Sequence, residues 1–153
     1  MECPNSGVSQ GPTPSSGART QQPKPTLPPC TPPAAKGNVT YKFGVPTASP
    51  AVANFMTCTS ACMGGVTFRA SSTSEAHSPT DPHTRGLAVD GEIAGSVGQI
   101  FQCAANCGAV FQLNEYTNPS PHATAGHYHF QLVPGKNGAS GPYYARCTYA
   151  TKP

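Results

Sequence analysis

Gly126-His-Tyr-His-Phe-Gln-Leu-Val133 is a run rich in aromatic and aliphatic residues, stopped by Pro134-Gly135, and it reads as a β-strand. Alternate side chains of a strand share a face, so His127 and His129 point one way and Tyr128 the other. Upstream, His83-Thr-Arg-Gly-Leu-Ala-Val-Asp90 sets an imidazole and a carboxylate on either side of a short apolar run. Leu87-Ala-Val89 predicts a strand that enters the core with Asp90 at its end, and Gly86 permits a sharp approach from the loop carrying His83. A carboxylate carried inward in this way wants a cation or a metal as its partner.

Two imidazoles and a carboxylate, with a fourth position left to water, form an acceptable ligand set for catalytic zinc. His83, Asp90 and His129 fill it. His127 shares the strand face of His129, and the sequence does not decide which of the two is the closer ligand. A single histidine is more readily a surface or satisfied core residue, and it is the joint pattern that points to Zn2+. His77 and His122, set among Ser, Pro and Thr, are expected to face solvent.

The flanking segments place this strand in an α+β domain. Asn38–Val45 alternates like a strand, and Ser49–Met56 reads as a short helix with Ser49 as N-cap and Pro50 in its first turn. Val66–Arg69 predicts a strand and Ser71–Pro82 a polar loop. Ala94–Ala105 predicts a helix, with Ile93, Val97, Ile100, Phe101 and Ala104 on one face and Gly108 as its stop. Ala109–Leu113 and Tyr128–Val133 follow as strands separated by the loop Asn114–Gly126, and Tyr143–Tyr149 reads as a last edge strand. The expected architecture is a small antiparallel sheet with helices packed on one face.

The first motif, with His83, Gly86, Ala88 and Asp90 in register, followed by the His-x-His strand, resembles the LAS group of zinc peptidases, named for lysostaphin, D-Ala-D-Ala carboxypeptidase and the hedgehog amino-terminal domain. The resemblance spans roughly Val66 to Val133. It implies a peptidase acting on a peptide bond of bacterial cell-wall peptidoglycan, of carboxypeptidase or endopeptidase type, with a zinc-activated water as nucleophile. It further implies that Arg69, in Val66-Thr-Phe-Arg69, faces the substrate and that His127 is an acid/base beside the metal. Two positions depart from the carboxypeptidase branch: Asp81 replaces a Ser two residues before the first ligand, and Gly126 replaces a Glu or Asp three residues before the last. Glu92 and Asp81 are the fallback carboxylate bases. The departure at Gly126 also motivates a second expectation, a noncatalytic zinc-bearing module that binds peptidoglycan or a protein. A third expectation is a disulfide-stapled domain without metal.

Composition bounds the remainder. The chain has 153 residues with 18 Pro, 16 Gly and 10% charged residues, which describes one loop-rich domain. The net charge of +3 decides little, but the nine basic residues are scattered, with no run to track a phosphate backbone and no interleaved aromatics, which argues against a nucleic-acid partner. Residues 1–37 are Pro-, Gly-, Ser- and Thr-rich and read as a flexible linker, leaving 38–153 as the zinc peptidase-like domain. Seven cysteines point to an oxidising compartment. Two bridges are expected among Cys58, Cys62, Cys103, Cys107 and Cys147, with Cys3 and Cys30 in the tail; a structural metal at the first four is the competing reading. No apolar stretch approaches the ~20 residues that span a bilayer. The cysteine count nevertheless predicts export to the cell envelope or beyond, with the targeting segment removed or not captured. Asn38-Val39-Thr40 is a glycosylation sequon, meaningful only in a eukaryotic secretory host.

Overall fold

The computed structural model describes residues 27–75, 77–117 and 126–149. Cys3, most of the Pro-rich tail, His122 and most of the Asn114–Gly126 loop lie outside the described residues.

The elements run β1 (Val39–Tyr41), α1 (Pro50–Cys62), β2 (Phe68–Ser72), β3 (Ala88–Glu92), α2 (Val97–Asn106), β4 (Phe111–Asn114), β5 (Tyr128–Gln131) and a short 3-10 turn, Lys136–Gly138. The result is a small α+β domain. Its five strands form one sheet in the order β1-β2-β3-β5-β4. The expectation of a purely antiparallel sheet is corrected: β1 pairs parallel to β2, and the other pairings are antiparallel. The cause is α1, which returns the chain to the starting end of the sheet, as a parallel pair requires of its crossover.

Both helices pack on one face of the sheet. Tyr128 and Phe130 of β5 point there, and Phe130 meets Phe55 of α1 at 5.4 Å, Phe68 of β2 at 5.8 Å and Phe101 of α2 at 5.8 Å between ring centroids. This aromatic cluster is the centre of the core. Its offset and edge-on rings are the arrangement that aromatic quadrupoles favour.

Helix α1 begins as expected, with the Ser49 side chain accepting from the Val52 amide and Pro50 in the first turn. It runs past Met56 to Cys62, further than the polar Thr57-Cys-Thr-Ser60 stretch suggests. The hydroxyls do not compete with the helix: Thr57 and Thr59 donate to the carbonyls of Ala53 and Phe55, four residues back. Helix α2 starts at Val97 with Ser96 as its cap, and Val97, expected on the buried face, is 39% exposed.

The two four-residue cysteine spacings are helix-face spacings. Cys58 bonds Cys107 and Cys62 bonds Cys103, so α1 and α2 are doubly stapled and no cysteine of the four is left for a structural metal. A third bridge joins Cys30 to Cys147. Beside it, Cys30 N–H donates to Thr148 O and Thr148 N–H donates to Pro28 O. The expected edge strand over Tyr143–Tyr149 is corrected to this single bridge between Pro29 and Thr148. The described residues contain no helix long and apolar enough to cross a membrane.

Candidate metal centre

The sheet face opposite the helices carries the polar chemistry, and strand register assembles it. Asp90 of β3 lies directly across from His129 of β5. Asp90 stands in the middle of β3, not at the end of a strand as expected. On the other side, β4 pairs Leu113 with His129, and two residues further on the Glu115 amide donates to His127 O. Paired and alternate residues share a face, so Asp90, Glu92, Arg69, His127, His129, Gln131 and Glu115 project together.

His83 reaches the same face from the loop between β2 and β3. Asp81 holds it twice, its Oδ1 accepting from the His83 amide at 2.8 Å and lying 2.9 Å from His83 Nδ1. The loop closes onto α1 through Gly86, whose carbonyl accepts from Ser49 Oγ at 2.8 Å. Gly86 has φ +72°, and a Cβ there would lie 3.0 Å from Ser49 Cβ, so glycine suits both the backbone and the close approach.

Asp90 is the hub. Its Oδ1 lies 2.8 Å from His129 Nδ1 and 3.2 Å from His83 Nε2, and its Oδ2 lies 3.5 Å from His127 Nε2. One ligand atom from each of His83, Asp90 and His129 can be chosen so that all lie within 4.8 Å of one another, close enough to hold one metal ion. His83 and His129 are 5% and 9% exposed. Burial would raise the Asp90 pKa, but hydrogen bonding from His129 and the charges of His83 and His129 outweigh it and hold the carboxyl well below its usual range. Burial would lower the His83 pKa, and the Asp90 and Asp81 carboxylates outweigh it, so the net shift is upward. The Asp81 carboxyl is likewise lowered, burial being overcome by the His83 amide and ring.

The residues fit a metal on a test of atoms. His83 Nδ1 is engaged by Asp81, which leaves Nε2 facing Asp90; this Nε2 is buried and makes no hydrogen bond despite its 3.2 Å approach. His129 Nε2 lies 2.8 Å from Gln131 Oε1, which leaves Nδ1 facing Asp90. The nitrogens turned toward Asp90 are thus the ones whose ring partners are already held from outside, the arrangement typical of metal-ligating histidines. The ion itself is not specified by this geometry.

Other expected residues fall as follows. Arg69 Nη1 pairs with Glu92 Oε1 at 3.0 Å, with both side chains about two-fifths exposed (44% and 40%). Together with Tyr116 they border an open hollow of ≈ 570 Å³. His77, expected to face solvent, is corrected to a half-buried position: it stacks on His83 at 4.2 Å with 10° between the planes, and its Nε2 lies 3.0 Å from Ser72 Oγ. His77, Asp81 and His83 also cluster closely enough for a metal. Parallel stacked rings do not aim their in-plane lone pairs at one point, which argues for an outer supporting role. A separate cavity of ≈ 270 Å³, lined by Tyr143, Tyr144 and Tyr149, has no imidazole or carboxylate among the described residues of its wall.

Glu115 was not anticipated. Its Oε1 lies 2.6 Å from His127 Nε2, and it is 8% exposed. The available signal was the alternation Phe111, Leu113, Glu115, which continues the site face one residue past the end of β4. Gln131, two residues after His129 on the same face, was also missed.

No protein-family model matches the chain, and no curated protein or solved structure matches it either.

Proposed function

We propose that the chain is a zinc-dependent peptide hydrolase acting on the peptide part of bacterial cell-wall peptidoglycan, as a carboxypeptidase or an endopeptidase. The observation that carries this reading is the convergence of His83 Nε2 and His129 Nδ1 on Asp90 Oδ1, with the other ring nitrogen of each histidine held from outside. His83, Asp90 and His129 would hold the ion. When bound, zinc polarises the scissile carbonyl and lowers the pKa of the attacking water toward neutrality.

The chain's own residues account for the protons. Glu115 Oε1 and His127 Nε2, 2.6 Å apart and beside Asp90, form a pair able to accept the proton lost by water and to return it to the leaving amine. Glu115 thereby stands in for the carboxylate that the resemblance places at position 126. Arg69 offers a planar fork of donors to a substrate carboxylate, which would exchange with Glu92. The substrate class rests on the resemblance to LAS peptidases. Three disulfides support an extracellular setting.

A noncatalytic zinc-bearing module is the second reading, favoured by Gly126. A Cβ at that position would lie 2.4 Å from Tyr116 Cδ1, so Tyr116 packs where a side chain would begin. The test is elemental analysis of protein purified without chelator, for wild type and Asp90→Ala, followed by digestion of purified peptidoglycan fragments. About one zinc per chain, lost in the variant, with peptide products from the loaded wild type, supports the hydrolase. Zinc without turnover selects the binding module. Absence of zinc overturns the metal reading and leaves a disulfide-held domain.

A further inference from the structure

The buried amide of Gln131 has one orientation that satisfies its surroundings. Its Nε2 lies 3.2 Å from Val133 O and 3.3 Å from Pro134 O, both of which only accept, so the nitrogen must face them. The oxygen is then turned to His129 Nε2 at 2.8 Å. An amide oxygen cannot donate, so this contact is a hydrogen bond only when the ring nitrogen carries the hydrogen. With a metal ion held between Nδ1 and Asp90, the neutral ring satisfies Gln131 only in the Nε2–H form, which gives the ion the Nδ1 lone pair; without the ion, the Asp90 carboxylate 2.8 Å from Nδ1 is an acceptor too and competes for the ring hydrogen.

We propose that Gln131 is a positioning residue for a metal ion, selecting Nδ1 of His129 as the ligand atom through the chain Val133 O and Pro134 O, Gln131 amide, His129 Nε2–H. The proposal rests on the metal reading of His83, Asp90 and His129. Asp81 acts on His83 in the opposite sense, holding Nδ1 and releasing Nε2. The two histidines therefore present different atoms, and each choice is written into an outer partner. Gln131 is 7% exposed, and its orientation comes from backbone carbonyls on the turn after β5. It acts through His129 and touches no substrate in this account.

The prediction is read with zinc alone as the probe. Gln131→Met keeps the length and removes the acceptor, and should weaken zinc binding about 10–100-fold in a competition titration against a chelating dye. Gln131→Glu keeps an acceptor at the same reach but turns its second oxygen on the Val133 and Pro134 carbonyls, so it should recover part of the affinity lost in Gln131→Met. Long-range 1H–15N spectra of zinc-loaded wild type should show His129 protonated at Nε2 and His83 at Nδ1, and zinc-loaded Gln131→Met should mix the His129 forms. A zinc-loaded wild-type spectrum with His129 protonated at Nδ1 overturns the proposal without any variant, as does unchanged affinity in Gln131→Met. Should wild type take up no zinc, the metal reading falls, and with it the proposed role of Gln131.

Discussion

Asp90 and His129 face each other across one rung of the β3–β5 ladder, with Oδ1 and Nδ1 2.8 Å apart. Two of the three candidate ligands are therefore fixed by strand register, and a slip of one residue would send them to opposite faces of the sheet. Only His83 depends on a loop, and that loop is tied to α1 at Ser49.

Asp90→Ala removes the atom on which both histidines converge. Zinc should fall from about one per chain to background after dialysis, a greater loss than the ~10–100-fold typical of an outer partner. The disulfide-stapled helices do not involve this face, so the far-ultraviolet dichroism should match wild type. Retained stoichiometric zinc would place the metal elsewhere.

Glu115→Gln and His127→Ala address the proton-handling pair. Each should keep its zinc and lose peptidoglycan turnover by roughly 10²–10⁴-fold, the usual contribution of a positioned acid or base. If both variants turn over like wild type with zinc bound, the pair is structural.

Much of this face could be read from the sequence because a strand has a period of two. His127, His129 and Asp90 were expected on strands; His127 lies one residue before β5, yet both histidines face Asp90 as their shared face requires. Glu115 was out of reach because its contact with His127 depends on how β4 pairs with β5 across a long loop, and side-chain alternation alone does not set that pairing. The direction of β1 was similarly hidden: three residues carry no mark of parallel or antiparallel pairing, which α1 decides. The His77 contact escaped because a polar Ser-, Pro- and Thr-rich loop gives no periodicity from which to judge burial.

The pH dependence of metal-free stability follows from the shifts at His83 and Asp90. The folded His83 pKa is raised, so its contribution is complete below the unfolded value of ~6.5 and is lost as pH rises through the folded value. The folded Asp90 pKa is depressed, so its contribution is present above the unfolded value of ~3.9 and is lost as pH falls toward the folded one. In chelator, Tm should be highest between roughly pH 4 and 6.5 and should decline on either side. With zinc the alkaline limb should reverse, because the metal requires neutral imidazole. A Tm in chelator that keeps rising from pH 6 to 8 would contradict the His83 assignment.

Gly126 and Tyr116 give a test of why the expected carboxylate position is vacated. Gly126→Ala places a methyl group 2.4 Å from Tyr116 Cδ1, and the ring is also packed edge-on against Tyr128 at 4.8 Å. The ring must move, so the substitution should cost about 1–3 kcal/mol, toward the lower end because Tyr116 is 48% exposed and has solvent to move into. Tyr116→Ser in the same chain should remove most of that penalty, giving a coupling between the two sites in a chemical-denaturation cycle. Additive effects would mean that the backbone at 126, and not the Tyr116 ring, excludes a side chain. In that case Tyr116→Ser combined with Gly126→Glu would not seat a carboxylate beside His127, and Glu115 would be the site's sole route to one on this edge.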